Sequence, residues 1–285
     1  MKAIIKNIAK FLFTIAKFAR FIFRLIYHTN RSNPLPLKYN GNVLILANGP
    51  SLKNVILELT TEKFQNMDFI VLNFFAFDDI FYHIKPKHYC LADPMYFKEN
   101  HRLDDVRKLF VILQNNVNWE MTIYIPRNHY HNFITFSNIT NKNISITKMN
   151  CIEYEGFEKF RYFFYKKGLA MPKVQNITNM AIFIALNLGY DPIYLYGVDH
   201  TFFDSLCVNE YNQLCVKDRY FYNHQEILHP KLRADNGEVY KVSDYLEDVS
   251  NIFKSHDTLA KYAQYLNVKV FNCTKNSMID CYNRI

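Results

Sequence analysis

Asn42-Val43-Leu44-Ile45-Leu46-Ala47-Asn48-Gly49-Pro50-Ser51-Leu52-Lys53 is the stretch on which the fold turns. Val43 to Leu46 is an unbroken apolar run, the mark of a strand buried on both faces. It runs straight into a polar turn. Gly49 permits a tight turn and lets a ligand approach the backbone closely. Pro50 stiffens the turn and lacks an N–H. Ser51 stands where it can cap a following helix, whose first N–H groups would face an anion. The turn is neither GxGxxG nor a P-loop.

The same grammar recurs along the chain. Asp68 to Leu72 is a second strand, ending at Asn73. His88 to Ala92 is a third, ending at Asp93-Pro94. Thr122 to Ile125 and Pro192 to Tyr196 read as further strands, the latter followed by Gly197-Val198-Asp199. Val268 to Phe271 reads as the last strand. Glu155 to Lys166, Asn176 to Leu188 and Val242 to Leu266 read as helices. Apolar strands alternating with helices predict an α/β fold, a mainly parallel sheet covered on both faces. Ligands bind such sheets at the carboxyl ends of the strands. Asn48, Asn73, Asp93, Asp199 and Asn272 all stand at such ends. The polar, aromatic stretch from about 200 to 241 is expected to be a lid over them. Asn176-Ile177-Thr178-Asn179 opens a helix, and its amides could hold a phosphate or a carboxylate.

Charge divides the chain differently. The net charge is +8. Lys2, Lys6, Lys10, Lys17, Arg20, Arg24 and Arg31 stand in the first 31 residues, which contain no acid, and the remainder is near neutral. A nucleic-acid binder would carry its basic face on the folded domain, so nucleic acid is not expected as a partner. Within residues 1–27 the basic groups recur at helical spacing beside Ile4, Ile8, Phe11, Ile15, Phe18, Ile22 and Leu25. The uncharged run Phe11 to Ala16 is far short of a membrane span, which needs about 18 apolar residues. An amphipathic helix lying on the inner face of the cell membrane fits better. The competing reading is a helix packed on the protein's own core or on a partner. The expected division is a membrane-surface helix over 1–31, a linker over 32–40 and a catalytic domain over 41–285. Pro34 and Pro36 end any helix in the linker.

The six cysteines form no CxxC pair, and Asp93 is a lone carboxylate, so neither a zinc nor a paired-aspartate metal site is expected. Scattered cysteines suit the reducing cytoplasm.

In this order, the pieces resemble the sialyltransferases of glycosyltransferase family 42. The resemblance spans about residues 42–280. It is carried by Ala47 to Lys53, Asn73, Asp93-Pro94, Ile177-Thr178-Asn179, Ile184 to Tyr190, Ile193 to Asp199 and Lys275-Asn276-Ser277. The NGPSL and GxD pieces are also similar to a wider superfamily. It includes Maf-type flagellin glycosyltransferases and proteins like the archaeal 6-hydroxymethylpterin diphosphokinase. The resemblance implies a Rossmann-like fold with a lid. It also implies metal-independent, inverting transfer of a sialic-acid-like sugar from a CMP donor to a surface glycan or glycolipid, with no cofactor beyond that donor.

The implied donor-binding residues are Asn48, Gly49, Pro50, Ser51, Asn73, Asp93, Thr178, Asn179, Gly197, Asp199, Asn276 and Ser277. The family's phosphate-binding tyrosine is Thr201 here, with Tyr211, Tyr220 and Tyr222 nearby. Its lid histidine has no clean counterpart. His224 is the first candidate base and His200, at the lid's root, the second; His229 is a further lid histidine. Arg233 is a candidate partner for a donor carboxylate. Two other readings stay open: a pterin diphosphokinase using ATP and Mg²⁺, and a non-catalytic nucleotide-binding protein of a glycan-assembly complex. Self-association stays open as well.

Overall fold

The computed structural model describes residues 2–28, 34–100, 102–219, 226–233 and 237–285. Eight strands form one sheet in which every pairing is parallel. They are β1 (Val43–Leu46), β2 (Asp68–Leu72), β3 (His88–Cys90), β4 (Met121–Pro126), β5 (Ile144–Met149), β6 (Ile193–Tyr196), β10 (Val270–Asn272) and β11 (Asn283–Arg284). The spatial order is β11-β10-β6-β1-β2-β3-β4-β5. From β1 the chain steps outward through β2 to β5. It then returns to the other side of β1 as β6 and continues to β10 and β11.

The central strands feed two cores by alternation, as a period of two requires. Val43 and Ile45 of β1 point into one core, Leu44 and Leu46 into the other. β2 repeats this, with Ile70 and Leu72 against Phe69 and Val71. The first core is closed by α1 (Lys2–His28), α5 (Glu158–Lys166), α6 (Ile177–Leu188) and α7 (Val242–Leu266). The second is closed by α2 (Ile80–Ile84), α3 (Leu103–Asn116) and α4 (Tyr130–Ser137). The sheet is thus covered on both faces, a Rossmann-like α/β layout. Every residue of α6 except Ile177 is buried, which explains why its sequence carries no polar stripe.

Several sequence expectations shift. The helix expected from Glu155 begins at Glu158, because Gly156, with φ 133°, and the extended Phe157 precede it in non-helical backbone; Glu155 itself is bound by Arg20 through two hydrogen bonds of 2.8 and 2.5 Å. The strand expected to be last, at Val268, begins at Val270 and is followed by β11. The stretch after β6 contains a separate antiparallel sheet, ordered β7 (Leu206–Val208), β8 (Leu214–Arg219), β9 (Glu226–Pro230).

α1 divides its length between two surroundings. Phe21 is fully buried, meeting Tyr154 and Phe164 at ring distances of 4.9 and 5.0 Å. Phe18, Ile22 and Leu25 pack beside it on the first core. The helix therefore joins the folded body at a point the expected boundary at residue 31 separates from it. Ile4, Ile5, Ile8, Phe11, Leu12 and Phe13, nearer its start, are exposed. Among the described residues, no helix is long and apolar enough to cross a membrane.

Candidate functional site

The chain reverses its direction of travel across the sheet between β1 and β6, the place where sheets of this kind take their ligands. A cavity of about 370 Å³ lies there. Asn48, Gly49 and Pro50 after β1, Asn73 after β2, and Gly197, Asp199 and His200 after β6 line it. Asn176 and Thr178 enter from the start of α6; Ser205, Val216, Lys231 and Tyr245 enter from the antiparallel sheet and its surroundings.

The two loops are tied to each other. The Gly49 N–H donates to the Gly197 carbonyl at 2.9 Å, and the Ala47 N–H to the Tyr196 carbonyl at 2.9 Å. Asp199 accepts from the Ser51 N–H at 3.2 Å and from the Ser51 hydroxyl at 2.8 Å. A side chain at Gly49 would collide with the Asp199 carboxylate and the Gly197 carbonyl. One at Gly197, whose φ is 68°, would collide with the Ala47 carbonyl. The two motifs explain each other: the glycines admit the close approach, and Ser51 and Asp199 lock it. Ser51 therefore does not cap a helix toward an anion. Pro50–Asn54 is a short 3₁₀ turn with no side-chain cap, and the Ser51 donors are already committed.

Asn73 and His200 both hold left-handed backbone, φ 52° and 54°, rare for non-glycine residues. Asn73 is held there by its N–H to the Cys90 carbonyl and by the Tyr89 hydroxyl on its own carbonyl. Its side-chain oxygen is buried without a partner among the described residues. It is an acceptor with no protein donor to satisfy it among the described residues, on a residue that lines the cavity. Asn176 caps α6, its side chain accepting from the Thr178 N–H at 2.7 Å.

His200 is part of a buried chain. Its Nε2 lies 3.1 Å from Nε2 of His256, whose Nδ1 lies 3.2 Å from the Tyr282 hydroxyl. Burial holds the His200 ring down at about 4, and burial beside His200 holds the His256 ring well below the usual imidazole range, so both are neutral near pH 7. Two neutral imidazoles sharing a hydrogen bond leave one donor and one acceptor at the shared contact. With the proton on Nε2 of His200, its Nδ1 is free to accept.

The remaining expected residues lie elsewhere. Asp93 caps its own turn, accepting from the Met95 N–H at 3.0 Å, and does not line the cavity. Asn179 is buried in α6 and does not line it; both amide atoms lack partners among the described residues. Ser277 is buried with its hydroxyl on the Val198 carbonyl at 2.6 Å, bracing the loop from behind. Asn276 is exposed beside it. Arg233 lies 3.8 Å from Asp244 and does not line the cavity. Tyr211 is exposed on a turn; His224, Tyr220 and Tyr222 lie outside the described residues. Among the described residues, no cluster of three or more His, Cys, Asp or Glu could hold a metal.

Lys231 was missed by the sequence reading. Among the described residues it is the lysine or arginine that lines the cavity, with its ammonium 5.7 Å from the Tyr245 ring. Its only sequence signal is membership of the polar stretch after β6. On the far side of the Asn48–Pro50 turn lies a second hollow of about 330 Å³, walled by Phe74 and Phe77.

The chain is similar in fold to a solved glycosyltransferase structure. That structure is the Maf glycosyltransferase from Magnetospirillum magneticum AMB-1, with a TM-score of 0.49 and 13% identity. The match covers 90% of this chain and 35% of that longer one. No protein-family model matches the sequence, and no curated protein matches it.

Proposed function

We propose that the chain is a glycosyltransferase that takes its nucleotide-sugar donor into the cleft outside β1 and β6. The observation that carries the reading is the convergence of Asn48, Asn73, Thr178 and Asp199 on one cavity at the point where the strand order reverses. The finer parts of the proposal come from the motif order. The donor is a CMP-activated, sialic-acid-like sugar, and the acceptor a surface glycan or glycolipid. The acceptor oxygen attacks the anomeric carbon as the bond to the CMP phosphate oxygen breaks, with inversion. The acceptor proton passes to a neutral histidine, His200 or His224. Such general-base help is typically worth about 10²–10⁴-fold. The leaving phosphate is met by Lys231 and the start of α6. The exposed apolar residues of α1 and its lysines hold the enzyme on an anionic membrane surface, the inner face of the cell membrane.

The test is a thermal-shift screen of the full chain with CMP, CMP-sialic acid, UDP- and GDP-sugars, and ATP with Mg²⁺. A ligand at about 100 times its dissociation constant stabilises by about 2.7 kcal/mol. A shift with cytidine nucleotides, and transfer that survives EDTA, is expected. A shift with ATP alone, together with activity lost to EDTA, would turn the reading toward a diphosphokinase.

A further inference from the structure

The same carboxyl edge carries a second cavity, of about 430 Å³, outside β3, β4 and β5, where Ala92, Arg127 and Asn150 follow the three strands. Lys173 and Val174 wall it on one side, and the chain then runs directly into Asn176 and Ile177 of the first cavity. Arg24 of α1 forms another wall. The charged lining is Arg24, Arg127 and Lys173 against Glu153.

Two of its polar atoms have no partner among the described residues. The Arg127 Nε–H is buried without a partner, and neither Arg127 nor Lys173 forms an ion pair among the described residues. Arg24 comes no nearer than 4.0 Å to Glu155, which Arg20 already holds. Asn150 is 7% exposed. Its amide donates to the Gly168 carbonyl at 2.6 Å, which fixes the orientation and leaves Oδ1 buried without a donor among the described residues. Buried polar groups are normally satisfied. Here one wall lacks an anion and another lacks a hydroxyl or amide proton. A sugar bearing a negative charge supplies both, with the anion and the hydroxyl set apart on one rigid ring as the two walls are.

We infer that this second cavity is the acceptor subsite, and that it recognises a saccharide carrying a phosphate or carboxylate beside free hydroxyl groups. Arg127 and Lys173 take the anion and Asn150 takes a hydroxyl proton. The assignment of acceptor rather than donor rests on the function proposed above. Placed next to the first cavity, the subsite would hold the acceptor's nucleophilic hydroxyl toward the donor. Arg24 puts part of the site on the helix proposed to meet the membrane, as a lipid-borne acceptor would need.

The experiment is calorimetric titration of the full chain with glucose 6-phosphate, glucuronate, glucose and inorganic phosphate. At least one of the two charged sugars should bind about tenfold or more tighter than both glucose and phosphate. Arg127→Gln and Asn150→Leu should each weaken that binding about tenfold, and Arg127→Lys should restore part of it. In every variant the nucleotide thermal shift should persist, reporting an intact fold and first cavity. Transfer to a lipid-borne phosphorylated acceptor in vesicles, against the same sugar free in solution, separates the two sources of the ligand. Equal binding of phosphate and glucose 6-phosphate, or binding untouched by Arg127→Gln, would overturn the inference. So would no charged-sugar binding by a chain that still shifts with nucleotide. A chain that binds no nucleotide but still binds the charged sugar through Arg127 would sink the transferase reading instead.

Discussion

Gly197 shows what a single backbone position contributes. Its left-handed φ alone costs an L residue roughly 1–2 kcal/mol, and a Cβ there also meets the Ala47 carbonyl. Gly197→Ala is expected to lower stability by more than about 2 kcal/mol and to abolish the nucleotide shift. Gly237, with φ 76° but open space around it, isolates the conformational part. Gly237→Ala should cost about 1 kcal/mol and leave binding intact. Equal urea midpoints for the two variants would contradict the account. Titration gives a second residue-scale test. Burial holds His88 and His200 at about 4, and His256 well below the usual imidazole range. The unfolded chain takes up these protons below about 6.5, while the folded chain stays neutral to about pH 4. The unfolded state therefore binds more protons in that window. Stability is full above about pH 6.5 and is lost as pH falls toward 4, by on the order of 3 kcal/mol each for His88 and His200. A urea midpoint that stays flat across that window would exclude this.

α1 carries its prediction at the scale of an element. Phe21→Ala removes a fully buried ring and should cost about 3–5 kcal/mol in urea unfolding. Ile8→Asp lies on the exposed half and should leave the urea midpoint unchanged while reducing co-sedimentation with anionic vesicles. The opposite pattern would mean that the whole helix serves the core. The spacing of Lys2 to Arg24 makes the helix itself readable, but periodicity cannot say whether protein or lipid covers an apolar stripe. β1, β2 and β6 are readable for a simpler reason: strands buried on both faces become continuous apolar runs. β5 escaped notice because it is an edge strand. Ile144-Ser145-Ile146-Thr147-Lys148-Met149 alternates, and most of it is half exposed. The ribbon β7–β9 was hidden because its strands are short and its apolar pieces, such as Leu206 to Val208 and Leu214 to Val216, sit scattered in a polar stretch.

For the whole molecule, position in the strand order decided which site residues could be foreseen. Asn48, Gly49, Pro50, Asn73, Gly197, Asp199 and His200 follow the three neighbouring strands β6, β1 and β2, and all line the first cavity. Asp93 follows the next strand out, and its carboxylate turns back to its own loop. Arg127 and Asn150 lie farther along the same edge, after strands whose ends carry no motif. Lys231 reaches the cavity only through the fold of the antiparallel ribbon. Lys231→Ala should weaken nucleotide binding about tenfold while leaving the urea midpoint nearly unchanged. An unaltered dissociation constant would remove Lys231 from the phosphate's surroundings.

The same strand order has a cost during synthesis. One flank of β1 is paired soon after translation, Val43 beside Asp68, but its other flank waits for Ile193. At ribosomal speeds the interval is on the order of ten seconds. Throughout it, a bare apolar ribbon edge is free to template mispairing with a neighbouring nascent chain. Slowing elongation between these two segments should therefore raise the insoluble fraction, and a chaperone that shields strand edges should reduce it.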